Sequence, residues 1–147
     1  MYYEEFTQGQ HFKSRSRIVT ATDVENFTTQ TWAVNPIFLD DERARERGLP
    51  SRVVPGALTF SYMIGLLYQL GIFDHILALA SVSSLTFKAP VMVGDEIEAE
   101  AWVLETRETK NPERGIVKIG ATCINKTRQT TCLECEMTFV MIRKKRQ

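Results

Sequence analysis

An α+β fold, in which one long apolar helix is wrapped by a curved antiparallel sheet, is what this sequence predicts, and three observations carry the prediction. The stretch Val53 to Phe73, VVPGALTFSYMIGLLYQLGIF, contains no charged residue. From residue 81 onward the hydrophobic period falls to two. Helical and strand-like segments also lie in separate blocks instead of alternating, which argues against a parallel sheet. With 147 residues, 44% of them hydrophobic, the chain has material for one core, so a single domain over residues 1–147 is expected.

The apolar stretch is the organising element. A helix without a polar stripe is not a surface helix, and must be enclosed. Pro55 and Gly56 stand before its first turn, so its helical part is too short for a bilayer, and Thr59, Ser61, Tyr62 and Gln69 add polar groups. The first amides of such a helix lack intrahelical acceptors and carry partial positive charge. The end beginning near Gly56 therefore suits a carbonyl oxygen or an anion.

Upstream, His11-Phe12 through Arg17-Ile18-Val19 reads as an edge strand. Thr22-Asp23-Val24-Glu25 matches a capping box and predicts a helix start. Asn35-Pro36 disfavours helix before the proline, and Ile37 to Arg47 reads as a short extended piece followed by a charged helix that closes at Gly48. Downstream, Ser81 to Phe87 is a strand, and Glu96 to Thr106 places Ile97, Ala99, Ala101 and Val103 on one face. Gly115 to Ile124 does the same with Val117, Ile119, Ala121 and Cys123. Thr130 to Arg143 turns Leu133, Cys135, Met137, Phe139 and Met141 inward. One sheet cannot cover the whole helix, so a dimer that pairs sheets edge to edge is expected.

Composition excludes several classes. Eighteen basic and eighteen acidic side chains cancel, so no global field favours nucleic acid or an anionic membrane. The basic run Arg143-Lys144-Lys145-Arg146 reads as a solvated tail. Met1 is followed by Tyr2, Tyr3, Glu4 and Glu5, not by a signal sequence, so a cytoplasmic location is expected. The three cysteines are odd in number and unnecessary as staples. Cys132 and Cys135 form a C-x-x-C, but residues three apart on a strand face opposite sides, which argues against a metal or redox motif.

Three ordered blocks then resemble one family. Asn35-Pro36-Ile37-Phe38-Leu39-Asp40, Arg52-Val53-Val54-Pro55-Gly56-Ala57-Leu58-Thr59, and Phe87-Lys88-Ala89-Pro90-Val91 with Gly94-Asp95 are similar to the MaoC-like hotdog proteins, which include the (R)-specific enoyl-CoA hydratases. The resemblance implies a hotdog fold, assembly as a dimer, and a thioester of coenzyme A or of an acyl carrier protein as ligand, with no other cofactor. It also exposes departures. The family's catalytic Asp and His positions are Ala33 and Phe38, neither of which exchanges a proton, and its His before the glycine is Pro55. Gly56 persists and resembles the family's oxyanion donor.

Among the remaining residues, Asn35 and Asp40 fit turn and backbone roles, and Asp95 fits a turn. Thr59 and Tyr62, within two helical turns of Gly56, could line an acyl pocket or pack in the core. Arg52 and Lys88 could meet coenzyme A phosphates or stay solvated. His11 and His75 fit structural or surface roles, since His75 follows the far end of the helix. The readings that remain are a thioester-binding subunit, alone or paired with a catalytically complete sister chain as in heteromeric hydratases of this family; a hydratase, dehydratase or thioesterase using other residues, with Asp40 the nearest carboxylate; and a purely structural module.

Overall fold

The computed structural model describes residues 1–145. After a 3-10 turn at Tyr3–Glu5, the chain forms β1 (His11–Ile18), α1 (Ala21–Thr31), α2 (Pro36–Leu39), α3 (Asp41–Glu46), α4 (Gly56–Tyr68), β2 (Ile76–Phe87), β3 (Glu96–Glu108), β4 (Arg114–Asn125) and β5 (Thr130–Ile142). The five strands make one antiparallel sheet in the order β1-β3-β4-β5-β2. The apolar helix α4 packs on its concave side, so the layout is α+β as expected.

The inward positions follow the period of two. Ile97, Ala99, Ala101 and Val103 of β3, Val117, Ile119, Ala121 and Cys123 of β4, and Leu133, Cys135, Met137, Phe139 and Met141 of β5 are all buried. They meet Leu58, Met63, Leu66 and Leu67 of α4 in one core. Alternation works here because the sheet has one face on the core and the other toward water.

Element ends differ from expectation where local signals compete. The capping box is Thr20 with Asp23, not Thr22 with Glu25: the Asp23 amide donates to Thr20 Oγ1 at 3.1 Å, and the Thr20 amide donates to Asp23 Oδ2 at 2.9 Å. Val19 is fully buried just before it, so the chain enters the helix two residues early. Residues 36–39 are helical, not extended. Pro36 occupies the first helical position, where its missing N–H costs nothing, and Asn35 Oδ1 caps the Ile37 amide at 3.1 Å. Helix α4 stops at Tyr68, because Gly71 takes φ 78° in the turn that follows, and β2 starts at Ile76, five residues earlier than read.

The basic run near the C-terminus is not a free tail. Arg143 Nε reaches Glu4 at 3.0 Å and Nη2 reaches Glu108 at 3.5 Å, while Lys144 Nζ lies 3.6 Å from Glu5. Arg146 lies outside the described residues. The N-terminal residues lie over the same region: Tyr2 stacks on His75 with ring centroids 3.7 Å apart, and Phe6 is buried.

Two surfaces remain uncovered. Residues 77–87 of β2 are exposed, with Leu77, Leu79, Val82, Leu85 and Phe87 turned to solvent, and among the described residues β2 uses only one edge for pairing. On α4, Ala57, Ser61, Gly65 and Tyr68 form an exposed stripe.

Candidate functional site

Helix α4 begins at Gly56 with Pro55 as its cap residue, and no side chain caps it. Its first turn is fixed from outside by a short antiparallel clasp. Val53 bridges Met92, and the Val54 amide donates to the Val91 carbonyl at 2.7 Å. The chain before the helix and the chain after β2 are thus held together. Between them lies a cavity of about 370 Å³ lined by Val53, Val54, Gly56, Thr59, Phe87, Lys88, Ala89, Pro90, Val91 and Cys132. The organising bend therefore faces a cavity.

The ring over Gly56 is that of Phe87. A β-carbon at Gly56 would stand 2.9 Å from Phe87 Cε1, so a larger residue here requires that ring to shift. Phe38, one of the two positions where the resemblance leads one to expect a dyad residue, is half-buried against the core and does not line the cavity. Ala33, the other, is exposed after the left-handed Trp32 (φ 64°), and its amide donates to Thr31 Oγ1 at 3.3 Å.

The structure brings Gly56, Thr59 and Lys88 together and leaves the other named residues elsewhere. Lys88 keeps its ammonium half exposed at the rim and pairs with Glu134 at 2.8 Å. Pro55 is buried behind the first turn. Arg52 is turned to internal bonding. Its Nε donates to the Phe38 carbonyl at 2.9 Å, its Nη2 reaches Glu25 at 3.4 Å, and its amide donates to Asp41 Oδ1 at 2.9 Å. It ties α1, α2 and α3 to the entry of α4.

Tyr62 belongs to a different groove, of about 600 Å³, between β1 and the far half of α4. The Arg17 guanidinium lies 3.8 Å from its ring centroid. Burial pushes the Tyr62 hydroxyl above the usual phenol range, with the Asp23 carboxylate adding to it against the pull of Arg17.

Asp40 accepts from the Glu42 and Arg43 amides at 2.9 and 3.2 Å and so starts α3. It does not line the cavity. His11 pairs with Glu100 at 3.1 Å and stacks on Trp102; neither histidine lines the cavity. Asp95 does more than turn the chain. It is buried, and its Oδ2 accepts from the Met92 amide at 2.9 Å, from Asn125 Nδ2 at 2.7 Å and from Arg128 Nε at 2.8 Å. This carboxylate holds the loop 92–95 behind the clasp.

Phe87 and Cys132 escaped the sequence reading as site residues. Phe87 stood inside a matched block, and its place before Lys88-Ala89-Pro90 was the available signal. Cys132 gave none, because its position depends on a bulge. Cys123 pairs with Leu133 while Ile124 pairs with Thr131, so Cys132 is the extra residue. A bulge places two successive side chains opposite one partner, and Cys132 and Leu133 are both buried. Cys132 and Cys135 consequently share the inner side, contrary to the opposite faces expected of a regular strand, and the neighbour of Cys132 is Cys123.

An antiparallel sheet wrapped around one central helix defines the hotdog class. A Mycobacterium tuberculosis protein described as having a double hotdog fold superposes with a TM-score of 0.84 at 18% identity, over 100% of this chain and 46% of that one. The family model for the MaoC like domain matches residues 5–124, and the chain belongs to that family. It is 30% identical over 127 residues to a mitochondrial 3-hydroxyacyl-[acyl-carrier-protein] dehydratase of Arabidopsis thaliana, covering 86% of this chain and 72% of that one. It is 37% identical over 93 residues to an (R)-specific enoyl-CoA hydratase of Aeromonas caviae, covering 61% of this chain and 66% of that one. Among the described residues, no helix is long and apolar enough to cross a membrane.

Proposed function

We propose that this chain is an acyl-thioester-binding hotdog subunit that polarises the thioester carbonyl at the Gly56 amide and does not itself hydrate or dehydrate the acyl chain. Its ligand is a thioester of coenzyme A or of an acyl carrier protein, with no other cofactor. One observation carries the reading: the cavity opens on the uncapped first turn of α4, and among the described residues its lining contains neither carboxylate nor imidazole. A positioned acid or base supplies roughly 10²- to 10⁴-fold, and an oxyanion donor about 10²- to 10³-fold. With the donor alone, binding and polarisation persist while proton transfer is lost. Lys88 at the rim, half exposed and shared with Glu134, is the lining cation that a phosphate would meet.

The subunit works as a pair, with a second copy or with a catalytically complete sister chain. The edge of β2, unpaired among the described residues and uncharged, supports this, since such an edge exposes both backbone groups and apolar side chains. The test is to titrate the purified protein with crotonyl-CoA and to follow both hydration and hydrolysis. Saturable binding without turnover is the expected result. Turnover at the rate of a competent hydratase, or no thioester affinity even with any co-purified chain present, would overturn the proposal.

A further inference from the structure

We infer that Cys132 and Cys123 form a peroxide-sensitive dithiol site in the wall of the cavity beside Gly56. The observations are geometric. The bulge in β5 sets Cys132 opposite Cys123 on β4, and Cys132 Sγ lies 3.2 Å from the Cys123 carbonyl oxygen. Cys132 is next to Leu133, the ladder partner of Cys123, and residues facing each other on neighbouring strands stand about 4.5–5.5 Å apart at Cα, within the range a disulfide spans. Both thiols are free, and Cys132 is the one that lines the cavity. Cys123 is fully buried behind it.

The third cysteine is an internal contrast. Cys135 does not line the cavity, and burial pushes its thiol up to about 11, where the thiolate is scarce. Within the pair, the interaction of the two neighbouring thiols holds Cys132 below the usual thiol range and Cys123 above it. A hydroperoxide entering the cavity therefore meets Cys132 first. The Cys132 sulfur attacks one peroxide oxygen, the O–O bond breaks, and the other oxygen leaves as an alcohol or as water after taking a proton. The Cys123 sulfur then displaces hydroxide from the Cys132 sulfenic acid. That hydroxide takes the Cys123 proton and leaves as water, and an S–S bond forms. Two electrons pass from the two thiols to the peroxide.

The consequence reaches the cavity wall. The Cys132 carbonyl accepts from the Lys88 amide at 2.9 Å and from the Ala89 amide at 3.5 Å. A covalent tie at Cys132 shifts the segment that carries Lys88 and faces Gly56. The thiol chemistry itself does not depend on the thioester reading.

The experiment treats the full chain with hydrogen peroxide under native conditions, alkylates remaining thiols after denaturation, and maps the cysteines by mass spectrometry. The expected product is an intramolecular Cys123–Cys132 disulfide, formed equally in Cys135→Ser, absent in Cys132→Ser and reversed by dithiothreitol. In Cys123→Ser, dimedone should label Cys132. Alkylation of both Cys123 and Cys132 after peroxide, or a disulfide that uses Cys135 or links two chains, would overturn the inference. Because the readout is mass, a protein that binds no thioester still tests it.

Discussion

Gly115, at the start of β4, is held to glycine by an aromatic ring. The Tyr3 ring lies on it so closely that a β-carbon would stand 2.1 Å from Tyr3 Cδ2, so a side chain here requires the ring to move. Gly115→Ala should cost about 1–3 kcal/mol, the usual range for overpacking. Urea denaturation would show it, and adding Tyr3→Ala should return part of the loss, since the two sites share one contact. No pattern along the chain pointed to this pair, which is 112 positions apart (115 − 3). Arg52 is similar. Its neighbours in sequence suggested a phosphate ligand, and only the fold shows that the Phe38 carbonyl and Glu25 occupy it. What sequence could give at this scale was identity: Gly56 before an uncharged helix, and Ala33 and Phe38 at positions where the resemblance implies proton-transfer groups.

Elements were more legible, because periodicity is a local property. The inward faces of β3, β4 and β5 followed from alternation, and α4 from the missing charges. The ends were less legible, as at α1, where the observed cap at Thr20 lies two residues before the Thr22 box read from the sequence. The observed cap has a pH signature. Burial pushes the Asp23 carboxyl up, but the Thr20 amide and hydroxyl, the Tyr62 hydroxyl and Arg17 outweigh it and hold it below its ordinary value. Because the native value is depressed, the contribution is complete above the unfolded value of about 3.9 and is lost as pH falls through the native one. Asp23→Asn should therefore lower stability at neutral pH and flatten the acid limb, which denaturant melts from pH 7 down to about pH 3 would measure. Unchanged slopes would place the acid sensitivity in other carboxylates. The bulge at Cys132 lay beyond reach for the same reason as the Tyr3 contact: strand register is set between segments.

At the scale of the whole molecule, the uncovered surfaces constrain assembly. The exposed side chains of β2 are uncharged from Ile76 to Phe87, and its outer edge is free among the described residues. Native edge strands are ordinarily blunted by lysine, proline or a covering segment. If this edge is the site of pairing, Leu79→Lys with Val82→Lys should convert a sedimenting dimer to monomer while the far-ultraviolet spectrum keeps its shape. A dimer that survives the two lysines would move the interface elsewhere, for instance to the exposed Ala57-Ser61-Gly65 stripe of α4.

Chain order adds a burden during synthesis. β2 ends at Phe87, while β5, its neighbour in the sheet, begins at Thr130, 43 positions later. At about 5–20 residues per second, a ribosome needs seconds to deliver that neighbour. For that interval a greasy, chargeless ribbon hangs from the tunnel exit with neither side stitched. Slower growth at lower temperature and ample holdase should accordingly raise the yield of native protein more than any change to the cavity would.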